Sequence, residues 1–154
     1  MGQSIVIIEA QSYHLKDLTD LAKKYFAESP YSSTHQFDSD TTLESLRRGM
    51  ILASHRVLAV EYNSETVGGA FAYAAPYTWC PDIRVNCEFI YVLPEHRDKG
   101  FAEDLLLNLK NWAEAMNAKE ICAGDIGFRP PVTQRWLENQ GYQDPGVMLR
   151  QVLV

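Results

Sequence analysis

Cysteine is scarce in this chain: Cys80, Cys87 and Cys122 are the only three in 154 residues. They form no CxxC pair and no paired Cys/His spacing, which excludes the common zinc frameworks, and their odd number excludes a fully paired disulfide scaffold. They read as buried, reduced thiols of a cytoplasmic protein. Long apolar runs are also missing. No stretch approaches the roughly 20 apolar residues of a membrane span, and the opening MGQSIVIIEA has no basic region ahead of its short apolar run, so no membrane partner or secretory leader is expected. A myristoylation start is set aside because position 6 is Val rather than Ser or Thr. Basic clusters are absent as well: 14 Lys and Arg face 20 Asp and Glu, for a net charge of −6. Binding nucleic acid needs cations gathered on one face, so that class is disfavoured, and a cationic or neutral small partner suits the balance better. The chain carries neither a Walker sequence nor a dinucleotide fingerprint, which argues against a general nucleotide-binding domain.

What the chain does have is enough apolar content, 46%, and the right length for one domain over residues 1–154. No internal repeat or linker divides it. Residues 4–9, SIVIIE, read as a strand. From His14 the spacing of Leu15, Leu18, Leu21, Ala22, Tyr25 and Phe26 predicts a helix. Ser29–Asp40 is rich in turn formers and aperiodic, and reads as a long loop suited to covering a substrate, after which Thr41 or Thr42 caps a short helix through Met50. HRVLAVEY and VGGAFAYAA, joined by Asn63–Thr66, predict a hairpin. A connection over Pro76–Asp82 leads to the strand RVNCEFIYVL. A helix follows over Lys99–Met116, then a short strand around Ile121–Ala123, a helix opened by Pro130 and Pro131 and closed at Gly141, and a last strand VMLRQVLV.

The informative stretch is strand, turn, helix: CEFIYVLPEHRDKGFAEDLLLNLKNWA. Pro94 ends the strand, and Arg97-Asp98-Lys99-Gly100-Phe101-Ala102 leads into the helix. A helix N-terminus presents unpaired N–H groups and the positive end of the macrodipole, which together hold phosphate oxygens. Gly100 lets the backbone approach the anion, and Ala102 is small enough not to obstruct it.

Arg97, Gly100 and Ala102, with the lead-in Tyr91–Arg97 (YVLPEHR), resemble the pyrophosphate loop of the GNAT acetyltransferases. The order of elements resembles that family over essentially the whole chain. The resemblance implies an α+β fold with a mixed, mostly antiparallel sheet of six to seven strands, flanked by about four helices, whose strands near Val92 and Ile121 splay apart. It implies acetyl-CoA as acetyl donor and no metal. Carried over by position, it assigns Asp98, Lys99, Gly100, Phe101, Ala102 and Glu103 to the pyrophosphate turn. The main-chain groups of Ile90, Tyr91 and Val92 are assigned to the pantetheine arm and acetyl carbonyl. The acceptor implied is a primary amine on a small molecule, a peptide or a protein, and a homodimer stays open.

Glu88 is the candidate base. An amine with a pKa of about 10 is protonated at neutral pH and must lose a proton before attacking a thioester. A Glu at this place, nine residues before Arg97, resembles the proposed base of the spermidine-acetyltransferase branch. Glu88 also interrupts the apolar run Cys87, Phe89, Ile90, Tyr91, Val92, where a carboxylate is costly unless it is paired or lines a cavity. A surface-facing strand Glu is the competing reading. The family's acid Tyr, four residues before a Gly-Phe pair, is missing: the pair here is Gly141-Tyr142 and the position holds Leu137. That leaves the thiolate to be protonated by solvent or by a Tyr from elsewhere, such as Tyr73 or Tyr77, and keeps open a non-catalytic acyl-CoA-binding regulatory module. Tyr31, His35 and Phe37 in the early loop, and Tyr73, Tyr77 and Trp79 around the third strand, are candidate acceptor-side residues or simply aromatic edges of the core.

Overall fold

The β-branched run after Ser4 forms the edge strand β1 (Ile5–Glu9), which pairs antiparallel with β2 (His55–Tyr62). A computed structural model describes residues 5–123, 131–143 and 151–153. Between these two strands lie α1 (Leu15–Glu28) and α2 (Ser39–Ile51). The entry to α1 is fixed by fully buried His14, whose Nδ1 accepts the Gln11 N–H at 2.8 Å while Nε2 lies 2.6 Å from Glu61 Oε1. With Nδ1 occupied as an acceptor, Nε2 carries the proton and donates it to the carboxylate.

The cap of α2 differs from expectation. Asp38, not Thr41 or Thr42, is the N-cap, its carboxylate accepting the Thr41 N–H at 2.7 Å, and the helix ends at Ile51 rather than Met50. That bond satisfies one of the orphan donors of the first turn and holds the Asp38 carboxyl below its usual range. The connection from α1 is correspondingly shorter than the loop expected, and a 3-10 turn over Pro30–Ser33 occupies part of it.

β2 turns into β3 (Glu65–Tyr77) through Asn63 and Ser64 alone, both at positive φ (50° and 67°). Two consecutive left-handed residues make the tight hairpin turn whose twist matches the strands, so Glu65 and Thr66 belong to β3 rather than to the turn. The expected connection over Pro76–Asp82 is not a loop either. β3 runs to Tyr77, β4 (Cys80–Val92) starts three residues later, and Tyr77 faces Cys80 across the turn.

After β4 the chain makes a 3-10 turn over Pro94–Lys99 and enters α3 at Phe101, not Lys99, ending at Ala115. α3 is the crossover that a parallel neighbour requires. It delivers β5 (Glu120–Ala123), which pairs parallel with β4 from Arg84 to Cys87. The last helix is α4 (Pro131–Asn139), with Gly141 at φ 92° closing it; Pro130 lies outside the described residues. The sheet order is β1-β2-β3-β4-β5, antiparallel except at its last pair. The expected fold class holds, with five strands rather than six or seven among the described residues. Of the expected last strand VMLRQVLV, residues 151–153 are in no regular structure and the others lie outside the described residues.

Each face of the sheet has its own core. Phe101, Leu105, Leu109 and Ala113, one stripe of α3, pack on Leu58, Val60, Ala70, Ala72, Val85 and Cys87. Leu18 and Leu21 of α1 and Leu46 of α2 pack on Val57, Ala59, Phe89 and Tyr91. Burying each large apolar side chain of these stripes contributes about 1.5–3 kcal/mol.

Where α1 crosses β3 there is no room for a side chain. A Cβ on Gly69 would stand 2.5 Å from Leu18 Cδ2 and 3.0 Å from the Leu58 carbonyl oxygen. Leu18 is itself 1% exposed and has nowhere to go. Gly69→Ala is expected to cost about 1–3 kcal/mol, the usual range for overpacking, read as a lower midpoint in urea unfolding with an unchanged slope.

Candidate functional site

β4 sets the geometry of the site through one irregularity. Phe71 of β3 faces Phe89 and Ala72 faces Cys87, so Glu88 is an extra residue with no cross-strand partner: a β-bulge. The bulge shifts the alternation of side chains by one. Before it, Val85 and Cys87 face the α3 core; after it, Phe89 and Tyr91 face the α1 and α2 core, while Ile90 and Val92 return to α3. Glu88 itself is exposed. The desolvation cost expected for a carboxylate inside the apolar run therefore does not arise, because the bulge releases it from the packed alternation.

The outer edge of β4 beyond the bulge is the second feature. β5 is paired only as far as Ala123 opposite Cys87, and its continuation lies outside the described residues. The Leu93 N–H donates to the Val67 carbonyl at 2.9 Å. In an antiparallel ladder the pointing direction alternates, so Tyr91 and Leu93 spend their main-chain groups on β3, whereas Ile90 and Val92 turn theirs outward. This corrects the expectation for Tyr91. Its main chain belongs to the ladder, and its buried ring packs edge-on to Tyr25 at 6.4 Å.

The third feature is the turn into α3. Gly100 sits at φ 79°, ψ 12° as the N-cap, a conformation that suits glycine and would strain any branched residue. A Cβ there would meet only Glu103 Oε2, at 4.0 Å, so the space beside it is open. The side chains around it are largely engaged. Arg97 Nε donates to the Val92 carbonyl at 2.8 Å, its Nη2 lies 3.2 Å from Glu28 Oε2, and its guanidinium stacks 5.1 Å above the Tyr91 ring. The Tyr91 hydroxyl donates to Glu28 at 3.2 Å, and burial with the nearby Glu28 charge raises that phenol. Lys99 reaches the Glu95 carbonyl at 3.2 Å and Asp98 at 3.5 Å. Phe101 is 1% exposed in the core, so only its backbone is free to serve a ligand. Ala102 is half-buried, and Glu103 accepts the Trp136 indole N–H at 2.9 Å, tying α3 to α4. Glu28 carried no signal in the sequence: it ends α1, and only the fold brings it to Tyr91 and Arg97.

The aromatic candidates separate into groups. Tyr73 faces Asn86 across the hairpin, beside the bulge, and lies over His55 at 5.9 Å. Tyr77 and Trp79 pack in a tilted pair at 5.6 Å at the tip of the hairpin, where Trp79 is 80% exposed. At about 3.3 Å per residue, the tip stands roughly 26 Å along β4 from Glu88. Tyr77 and Trp79 are therefore not brought to Glu88. Hydrogen bonding to Glu120, with burial, pushes the Tyr77 phenol up to about 12. Tyr31 and His35 pack edge to face at 5.6 Å, and Phe37 packs on Phe26 at 5.7 Å, all in the connection between α1 and α2.

The outward edge of Ile90 and Val92, the open left-handed turn at Gly100 and the N-terminus of α3 fit an elongated ligand with an anionic end: an extended arm along the strand and a pyrophosphate at the helix. That arrangement, on a sheet whose strands four and five are parallel, is an α+β layout with room for such a ligand along its fourth strand. The sequence profile of the acetyltransferase (GNAT) family matches residues 15–127, and the chain belongs to that family. Acetyl-CoA is the acetyl donor of the family. Among curated proteins no significant sequence match was found. Among solved structures, the chain is similar to the aminoglycoside acetyltransferase AAC(6')-Iy in complex with a bisubstrate analogue, at 17% identity, TM-score 0.77, covering 98% of this chain and 99% of that one. A ribosomal-protein-alanine N-acetyltransferase from Brucella melitensis matches at 18% identity, TM-score 0.75, over 98% and 99%. A transcriptional regulator from Bacillus halodurans matches at 15%, TM-score 0.78, over 97% and 100%. At these identities the likeness is one of fold.

Acetyl-CoA is expected to raise the melting temperature in a thermal-shift titration, by the mass action of any ligand that binds only the native state. Gly100→Val is expected to abolish that shift, since a branched side chain would stand in the phosphate turn. Because Gly100 is left-handed, the same change is also expected to cost about 1–3 kcal/mol of stability. Circular dichroism melts and calorimetric titration read the two effects separately.

Proposed function

We propose that the chain transfers acetyl from acetyl-CoA to a primary amine by direct attack, with Glu88 as general base. The observation that carries this reading is the bulge. It leaves an exposed carboxylate on the same strand whose outward edge, two residues on, leads to the phosphate turn.

Acetyl-CoA supplies an activated acetyl thioester. The turn from Arg97 to Glu103 holds the pyrophosphate through backbone N–H groups and the α3 dipole. Val92 offers its outward N–H rather than its carbonyl, which Arg97 already occupies. Ile90 offers both outward groups. These edge donors orient the arm and polarise the acetyl oxygen as negative charge develops on it. Glu88 removes the ammonium proton, directly or through a water, so that the nitrogen lone pair is free. Tyr73, one strand across and next to the bulge, is the best placed of the aromatic candidates to touch the acceptor. Tyr31, His35 and Phe37 belong to the acceptor side only if their connection folds over the bulge.

The acceptor class remains that of the proposal: an amine on a small molecule, a peptide or a protein. AAC(6')-Iy and the Brucella enzyme exemplify a small-molecule and a protein acceptor respectively. The acidic balance of the chain favours a cationic acceptor. Leu137, at the family's acid position, is 6% exposed and apolar, which supports the competing reading of a non-catalytic acyl-CoA-binding regulator. Release of free CoA from acetyl-CoA in the presence of an amine panel separates the two.

Glu88→Gln keeps size while removing the base. Turnover is expected to fall roughly 10²- to 10⁴-fold near neutral pH, the usual worth of a positioned general base. Acetyl-CoA affinity by calorimetry is expected to stay unchanged. Part of the lost rate should return as pH rises towards the amine pKa of about 10, where the acceptor is already neutral. Turnover at the parent rate would make Glu88 a plain strand residue.

A further inference from the structure

Breaking a thioester places an electron pair on sulfur, and the site described so far has no group for that charge. The family's acid position holds Leu137, part of the core. A different phenol stands unused. Tyr142 has its hydroxyl oxygen fully buried with no hydrogen-bond partner among the described residues. Leaving such a donor unmatched is costly, and an orphan of this kind calls for an explanation in what binds there.

The chain drives this side chain inward. Gly141 at φ 92° ends α4, and the Tyr142 N–H returns to the Leu137 carbonyl at 3.1 Å, the six-to-one closure of a Schellman turn. The residue after the glycine in that turn packs back against its helix. The titratable groups that act on the phenol are the thiols of Cys87 and Cys122, one on each strand of the parallel pair. Cys87 is also the last residue of that pairing among the described residues, facing Ala123, and the residue after it is Glu88 at the bulge. Tyr142 therefore lies against the end of the described β4–β5 pairing, at the residue before the candidate base. An arm that starts at Gly100 and follows the outward edge of Val92 and Ile90 meets this place at its sulfur end.

We propose that the Tyr142 hydroxyl donates a hydrogen bond to the sulfur of the departing coenzyme A thiolate. This rests on the acetyl-transfer reading above. In the step, the amine nitrogen forms its bond to the acetyl carbon, and the carbon–sulfur bond breaks with its electron pair passing to sulfur. Glu88 has by then taken the ammonium proton, the nitrogen sheds its second proton to solvent as the amide forms, and the thiolate, held by the Tyr142 hydrogen bond, takes a proton from solvent on release. The phenol keeps its own proton throughout. Burial raises it well above a free tyrosine, so it is a hydrogen-bond donor to the sulfur rather than an acid that ionises. Both neighbouring thiols stay neutral beside it, since burial pushes Cys87 up to about 12 and raises Cys122 as well.

The test is Tyr142→Phe in the full chain, with the melting temperature of the free protein and calorimetric binding of CoA and desulfo-CoA at a pH of about 9, where a thiol of ordinary pKa is largely ionised. The expected result has two parts. The melting temperature stays or rises, because an unmatched buried hydroxyl is gone. CoA binds roughly ten- to a hundredfold more weakly, the worth of one hydrogen bond to a charged group, while desulfo-CoA binding is unchanged. A drop of several degrees in the free protein would show a structural hydroxyl and overturn the proposal. So would an equal CoA to desulfo-CoA ratio in the two proteins, with the acetyl-CoA-binding reading left standing. If the parent chain bound neither compound, that reading would fall and the proposal with it.

Discussion

β4 has to satisfy two different neighbours, an antiparallel strand along its whole length and a parallel one that, among the described residues, runs along only part of it, and the extra residue at Glu88 is how it does so. Upstream of the bulge, Arg84 to Cys87 face β5 in regular parallel register. Downstream, the register against β3 has moved by one, and the side chains have changed faces with it. One residue thus decides three things. It lets Phe89 and Tyr91 complete the core beneath α1 and α2, it puts a carboxylate at the surface in an otherwise apolar run, and it re-aims the strand just past the last described pair with β5. A regular strand would place Phe89 and Tyr91 under α3 beside Val85 and Cys87, and leave the first two helices without their aromatic floor. Bulges gather near functional sites for this reason: they change direction at the cost of one unpaired residue.

Much of this was legible from spacing, and where it was not, the missing information was tertiary. The stripe of α3, the β2 strand and the strand–turn–helix around Gly100 follow from periodicity and punctuation, which survive without knowledge of neighbours. The stretch Pro76–Asp82 misleads because two prolines flank Tyr, Thr, Trp and Cys, a composition typical of loops. In the fold it is the overhanging tip of a hairpin. β2 pairs with β3 only up to Tyr73, and β5 pairs with β4 only from Arg84, so Pro76 and Pro81 both lie beyond the outer partners and neither proline breaks a ladder on its free side. The tip is held by the Tyr77–Trp79 ring pair and by Arg84 over Tyr77 at 5.4 Å. Asp38 has no distinct signal as a cap for a similar reason: it stands among several good candidates, and only geometry chooses between them. Glu88 stood out by breaking the alternation, but whether that meant a buried carboxylate or a bulge could not be told without the register.

Arg97 shows how a side chain that looks made for phosphate is used by the fold. Its Nε is given to the Val92 carbonyl and its Nη2 to both carboxylate oxygens of Glu28, with the ring of Tyr91 beneath. The ion pair is about half exposed at each end and on its own contributes only about 0–1 kcal/mol. Its effect is positional. By holding the last carbonyl of β4, it keeps the 3-10 turn folded against the strand, and through Glu28 it fastens the end of α1 to the same place. The first helix and the turn into α3 are thereby joined at a single guanidinium.

It follows that charge at the turn is supplied mainly by the backbone. Lys99 is engaged with Asp98 and the Glu95 carbonyl, and Glu103 and Asp104 bring negative charge to the first turn of α3, so the side chains there nearly cancel. What does not cancel is the helix itself, equivalent to about half a positive charge at its N-terminus, together with N–H groups that have no partner within the helix. Those donors are aimed by the left-handed glycine and cannot be silenced by replacing any one basic residue. An anion held this way is recognised by shape and direction more than by net charge. A chain of charge −6 is under no contradiction in binding one: the acidic excess acts over the whole surface, where salt screens it within about 10 Å, while the turn acts at contact distance.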